Sequence, residues 1–289
     1  MKKLILVILP LIVYSKAVKV DEILTDTNKV KLETAIAYTN IHKKQSVIAP
    51  ITYKTLGGDF VNIPTYLGNS KSNQDYINYR FSLKYGFSKN LEIFTNLNLF
   101  TSTTHISDSS FISKNNSGFS NLNTGFVYQV KKEDDKPSLL IGASADLIQK
   151  TTFSNNHSKN QYFKGYSLFA TSYYTVDPIV FLIKASLRIN KKQSYNNETI
   201  KNGNIFILNP NIYFAVNPYT SMHWGVKYQY KGKDRVNGKV VSNSGSSVGF
   251  NFGVSYEINY KTTLNFEAEK LDTDDYSSNS INLSLVYNF

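Results

Sequence analysis

Cysteine is absent from this 289-residue chain. No disulfide framework can hold the fold, and no thiol can act as nucleophile or metal ligand. Histidine is scarce: His42, His105, His157 and His223 are the four, widely scattered, the first three in Asn- and Ser-rich stretches. That scatter speaks against a metal centre, and "DTDD" (272–275) lacks the glycine and distal glutamate of a calcium loop. His223 shares parity with Ser221, but two strand positions lie ~7 Å apart, so no enzyme and no cofactor are expected. Long apolar runs are missing too. After Ala17 none is long enough for a membrane-spanning helix. Acidic residues are the scarcer sign, 21 against 32 basic, a net charge of +11. The lysines are spread through polar segments without a basic helix or zinc spacing, so nucleic acid is not an expected partner.

What is present begins with a leader. "MKK" is basic, "LILVILPLIVY" (4–14) is uncharged and apolar, and Ser15 and Ala17 occupy small-residue cleavage positions. Residues 1–17 are predicted to be a secretory signal peptide, 18–30 a periplasmic segment and 31–289 one domain. Losing Lys2, Lys3 and Lys16 with the leader lowers the charge to +8. Aromatics abound, with 21 Tyr and 18 Phe against one Trp.

The domain alternates with period two. In "YINYRFSLKYGFS", Ile77, Tyr79, Phe81, Leu83, Tyr85 and Phe87 take one face, and Tyr76, Asn78, Arg80, Ser82 and Lys84 the other. Segments beginning with 31–41 and ending with 280–289 repeat the pattern, giving about twelve strands. Short connections at 88–90, 131–137, 177–178, 217–218 and 259–260 alternate with long ones at 42–75, 101–118, 149–160, 190–203, 231–246 and 271–279. A two-sheet sandwich could use the same alternation. The loop rhythm and the charges opposite the oily face instead predict an all-β fold: a transmembrane antiparallel up-and-down β-barrel in the bacterial outer membrane, with lipid around it. A lumen of roughly 12 Å backbone radius follows from ~4.8 Å strand spacing and ~40° tilt.

The last segment, "INLSLVYNF", carries its oily parity to Phe289. A strand of this kind can seal the barrel against the first one. Tyr287 and Phe289 resemble the C-terminal signal read by the barrel-insertion machinery. Tyr38, Tyr76, Tyr85, Phe87, Phe100, Tyr128, Tyr174, Tyr228, Tyr230, Tyr256 and Tyr287, near strand ends, suit interfacial girdles. The inward parity holds Glu33, Arg80, Lys84, Glu92, Asp146, Lys184, Arg188, His223, Lys227, Glu257, Glu267 and Glu269. Acid gathers on the last strands and the first, base on the second, seventh and ninth. Such arcs can line a path for a small solute with a transverse field, or brace a filled interior. The segment 42–75, broken by Pro50, Gly57, Gly58 and Pro64, can be an external hairpin, an inward constriction or an extra strand pair. Its prolines favour a loop.

Two stretches resemble the outer-membrane family named after the meta-pathway of phenol degradation. "RFSLKYGFSKNLEIF" (80–94) is similar to its strand–turn–strand unit, and 118–147 resembles the next hairpin. The family's Pro-x-Gly after the fifth strand is replaced here by "IQKTTFSNN" (148–156). The resemblance implies a barrel of this size and uptake of small, often aromatic compounds, and it transfers no binding residue. A channel for passive solute uptake is the expectation. A surface barrel with a closed lumen, acting in structure or adhesion, is the alternative.

Overall fold

A computed structural model describes residues 24–43, 50–64, 72–107, 111–153 and 157–289. The leader lies outside them, as do residues 18–23. Twelve strands form the wall: β1 Val30–Lys43, β2 Ser72–Ser88, β3 Leu91–Ser107, β4 Phe111–Lys131, β5 Leu139–Thr152, β6 Gly165–Val176, β7 Ile179–Asn190, β8 Ile205–Asn217, β9 Thr220–Lys231, β10 Gly245–Asn259, β11 Thr262–Asp272 and β12 Tyr276–Asn288. Each pairs antiparallel with its neighbours in sequence, and β12 pairs with β1. The ring therefore closes and leaves no unpaired edge, as a backbone surrounded by hydrocarbon requires. At the seam Leu32 lies opposite Tyr287 and Tyr38 opposite Ile281. The Phe289 N–H completes the seam by donating to the Val30 carbonyl at 2.9 Å.

Period-two alternation sorts the side chains. On β2, Phe81 and Leu83 are 46% and 52% exposed, while Asn78, Arg80 and Ser82 are 2–3% exposed. Phe252 is likewise exposed on β10. A two-sheet sandwich would hide these rings in a shared core, so the sandwich alternative is ruled out. Tyr38, Tyr85, Phe87, Tyr128, Tyr174, Tyr228, Tyr230, Tyr256 and Tyr287 stand on the outside. Tyr76 and Phe100 depart from the expected girdle. Both face inward and stack at 5.6 Å between ring centroids.

Two long connections dissolve into strand. β3 runs to Ser107 and β4 starts at Phe111, and only 273–275 separates β11 from β12. The tips of β3 and β4 pair through Ser, Thr and Asn-rich residues. At the long-loop end, Gln193–Tyr195 with Glu198–Lys201 and Asp234–Val236 with Lys239–Ser242 pair into a separate four-stranded sheet. Phe153, Ile200, Tyr195, Val236 and Val241 pack beneath it.

One proline sits within a wall strand. Pro210 on β8 has no N–H to give, and the register with β9 skips from Leu208–Tyr228 to Asn211–Gly225. The Asn209 side-chain amide donates to the Val226 carbonyl at 2.8 Å, replacing a ladder bond.

The segment between β1 and β2 turns into the barrel. Ile51–Lys54 and Phe60–Ile63 form a two-stranded hairpin. Thr55–Asp59 is the turn, closed by Thr55 N–H to Asp59 carbonyl at 2.8 Å, with Gly58 at φ +95°. Ile51, Tyr53, Val61 and Ile63 are buried with Ile41, Tyr76, Phe100, Leu271 and Tyr276. Of the three sequence-based options, the inward constriction is the one found.

Candidate functional site: the lumen

The inner hairpin meets the wall on several sides. The Tyr53 hydroxyl donates to Glu269 Oε1 at 3.0 Å, and Ser280 Oγ lies 2.7 Å from it. Lys54 Nζ donates to Ser186 Oγ at 2.9 Å. Asp59 accepts from the Asn96 amide at 2.7 Å, and the Phe60 carbonyl accepts from Asn121 at 3.1 Å. The Phe60 ring lies under the Arg188 guanidinium, 5.4 Å from the centroid. These contacts reach β3, β4, β7, β11 and β12, so the hairpin crosses the lumen.

The inward-parity charges meet in compact groups. Arg80 pairs with Glu33, which also lies 3.3 Å from Lys84 Nζ, and Arg80 Nη1 is 3.9 Å from Asp59. Arg188 pairs with Asp146, which also accepts from the Asn121 and Asn123 amides at 3.0 and 3.1 Å. Lys227 Nζ reaches both Glu269 oxygens at 2.9 Å. Glu267 accepts from Asn282 at 3.3 Å and lies 3.9 Å from His223, whose ring faces Tyr213. Glu92 accepts from both the N–H and the hydroxyl of Thr25, at 2.7 and 2.6 Å. Lys184 is solvent-exposed into the lumen. Glu257 is not gathered in. It sits exposed at the tight-turn end, where its N–H donates to the Tyr219 carbonyl. The segregated arcs expected from chain order are thus offset at contact, because pairs such as Lys227–Glu269 span two strands. A carboxylate bonded to its counter-charge projects little field across the lumen.

The two ends of the lumen differ. At the tight-turn end Leu24, Val127 and Tyr213 pack against the buried cluster of Leu140, Tyr173, Val180 and Leu182, an apolar collar drawn from three wall strands and their neighbours. Beside the hairpin turn is a cavity of about 210 Å³, bounded by Arg80, Lys84, Glu92, Phe94 and Phe169. A second, of about 70 Å³, is bounded by Tyr213, His223, Lys227 and Glu267. Lys54, Gly58 and Lys184 border both. Several fully buried polar atoms nearby have no hydrogen-bond partner, among them Thr55 Oγ1, Arg80 Nε, Ser82 Oγ and Asn98 Nδ2. Among the described residues, no cluster of His, Asp and Glu has the geometry to hold a metal ion.

Parity located the wall residues of this site but missed Tyr53, Lys54, Asp59 and Phe60. A signal existed: "ITYK" and "FVNI" flank a Gly-Gly turn, the pattern of a short hairpin.

A family profile described as "Outer membrane protein beta-barrel domain" matches residues 124–289. A search of curated protein sequences finds no match. Among solved structures, an outer membrane channel from Pseudomonas putida F1 aligns at 10% identity, covering 91% of this chain and 96% of that one, with a TM-score of 0.61. The translocator domain of the autotransporter NalP from Neisseria meningitidis aligns at 9% identity over 91% and 90%, with a TM-score of 0.58. The transport unit of the autotransporter AIDA-I from Escherichia coli aligns at 11% identity over 90% of each chain, TM-score 0.53. At these identities the likeness is one of fold. With the profile spanning more than half the sequence and the twelve-strand wall closed, the chain belongs to the outer membrane protein beta-barrel domain family and resides in the bacterial outer membrane.

Proposed function

We propose that this barrel is a passive channel for small solutes, narrowed by its own inner hairpin. The observation that carries the reading is the pair of cavities meeting at Lys54, Gly58 and Lys184. They make a polar route past the hairpin turn, bordered by Ser82, Asn96, Asn209 and Asn211. The larger one falls below the ~300–1,000 Å³ of clefts for drug-sized ligands, which fits small molecules. The rings of Phe60, Phe94 and Phe169 favour solutes with an aromatic or apolar part. Glu33, Arg80, Lys84, Glu92, Lys184, Lys227, Glu267 and Glu269 border this path, the buried Asp146–Arg188 pair lies in the wall behind it, and Glu257 stands at its periplasmic rim. The C-terminal segment, β12 with Tyr287 near its end and Phe289 just beyond it, is the part read by the insertion machinery.

A second reading, a closed surface barrel with a structural or adhesive role, draws on the apolar packing of the hairpin against Ile41, Tyr76, Phe100, Leu271 and Tyr276. Single-channel recording in planar bilayers separates the two. The channel reading expects discrete steps from the intact chain, enlarged several-fold when 50–64 is replaced by a short Gly/Ser linker. Silence from the intact chain, whatever the shortened one does, assigns the lumen to the closed barrel.

A further inference from the structure

The carboxylates around the narrowest part of the lumen are already engaged. Glu269 holds Lys227 and Tyr53, Asp59 holds Asn96 beside Arg80, Glu33 holds Arg80 and Lys84, and Glu267 holds Asn282 beside His223. Two cations remain. Lys54 donates to a neutral hydroxyl, Ser186, and lies 5.8 Å from the Phe60 ring centroid. Lys184 faces Tyr213. Among the described residues neither has a carboxylate at ion-pair distance, and both border the two cavities where these join. Two ammonium groups turned toward one void repel each other unless an anion lies between them. Phe94 and Phe169, tilted with ring centroids 6.3 Å apart, border the same larger cavity with Val127, and Phe169 lies directly across the strand pair from Ser186, the partner of Lys54. Cations and rings side by side on one cavity define an amphipathic seat.

Resting on the channel reading, we infer that Lys54 and Lys184 form a binding site for a small organic carboxylate with a ring-sized apolar body. The carboxylate lies between the two lysines and the body lies against Phe94 and Phe169. Charge-assisted bonds to both lysines fix the head, and ring contacts hold the body. The site selects against neutral analogues, which leave the lysines facing each other, and against short-chain acids, which leave the rings uncovered.

Isothermal titration of the detergent-solubilised full chain with benzoate tests this without requiring conductance. Benzyl alcohol and acetate serve as the uncharged and the ringless controls. Benzoate is expected to bind more tightly than either. In a Lys54→Met/Lys184→Met double variant its affinity is expected to fall at least about tenfold. Lys184→Arg, which keeps the charge, should recover most of it. Heat-modifiable gel migration confirms that each variant has formed its barrel. Equal benzoate affinity in the folded double variant, benzyl alcohol binding as tightly as benzoate, or no benzoate binding at all overturns the site. Binding that depends on the lysines in a chain that never conducts sinks the channel reading alone, and conductance with unchanged benzoate affinity sinks the site alone.

Discussion

Asp146 stands where three side chains converge: the amides of Asn121 and Asn123 and the guanidinium of Arg188. Both members of the ion pair are 1–2% exposed at their side chains. Removing one partner strands the other, which costs more than the pair itself contributes. Asp146→Ala is expected to destabilise the barrel by about 3–5 kcal/mol, measured by urea unfolding in phospholipid vesicles. A loss below about 1 kcal/mol, the range of exposed pairs, would show that water reaches Arg188 freely. Gly165 is part of the same design: a Cβ there would collide with Arg188 and Asp146. At this scale the sequence was legible through parity alone. Charged residues on the inward face had to turn inward, since hydrocarbon lay on the other side. Which charge met which was not legible, because Arg188 on β7 bonds Asp146 on β5 across β6, and alternation carries no information about side-chain reach.

The wall strands were read well where one face was oily and poorly where both were polar. Segment 101–118 has Thr, Ser and Asn on both parities. It nevertheless pairs as β3 and β4, in register through His105–Ser113. Above the membrane no face needs to be apolar, so backbone pairing persists while its sequence signature vanishes. The inner hairpin escaped for a related reason: a hairpin enclosed by a lumen is buried on all sides, and "SVIAPITYKTLGGDFVNIP" therefore lacks any single period. β12 is the opposite case. Its alternation runs through Tyr287 and Phe289, whose rings meet edge-on at 4.8 Å. Deleting Phe289 removes this ring contact and the bond to Val30. The deletion is expected to lower the heat-modifiable, folded band in outer-membrane fractions several-fold while leaving synthesis unchanged. Undiminished assembly would mean that the machinery reads β12 elsewhere.

For the molecule as a whole, the decisive relation is between wall and surroundings. Phe81 lies midway along β2 with its ring outward. Phe81→Arg is expected to cost about 2–4 kcal/mol, the penalty for a cation near mid-bilayer on a lipid-facing strand. Equilibrium unfolding in vesicles measures it, and a penalty near zero would mean that this ring does not meet acyl chains. Fold class, strand number and membrane were all legible in the sequence, because lipid imposes one constraint on every strand at once. The occupied lumen was not, since water, a hairpin or a solute can each satisfy a polar interior.

That occupied lumen has a mechanical consequence. Tyr53, Lys54, Asp59 and Phe60 tie β12 and β11, β7, β3 and β4 to one central element, as spokes tie a rim to its hub. An empty ring of strands flattens easily under lateral pressure. A spoked one holds its cross-section, and the same threads that narrow the bore keep it round.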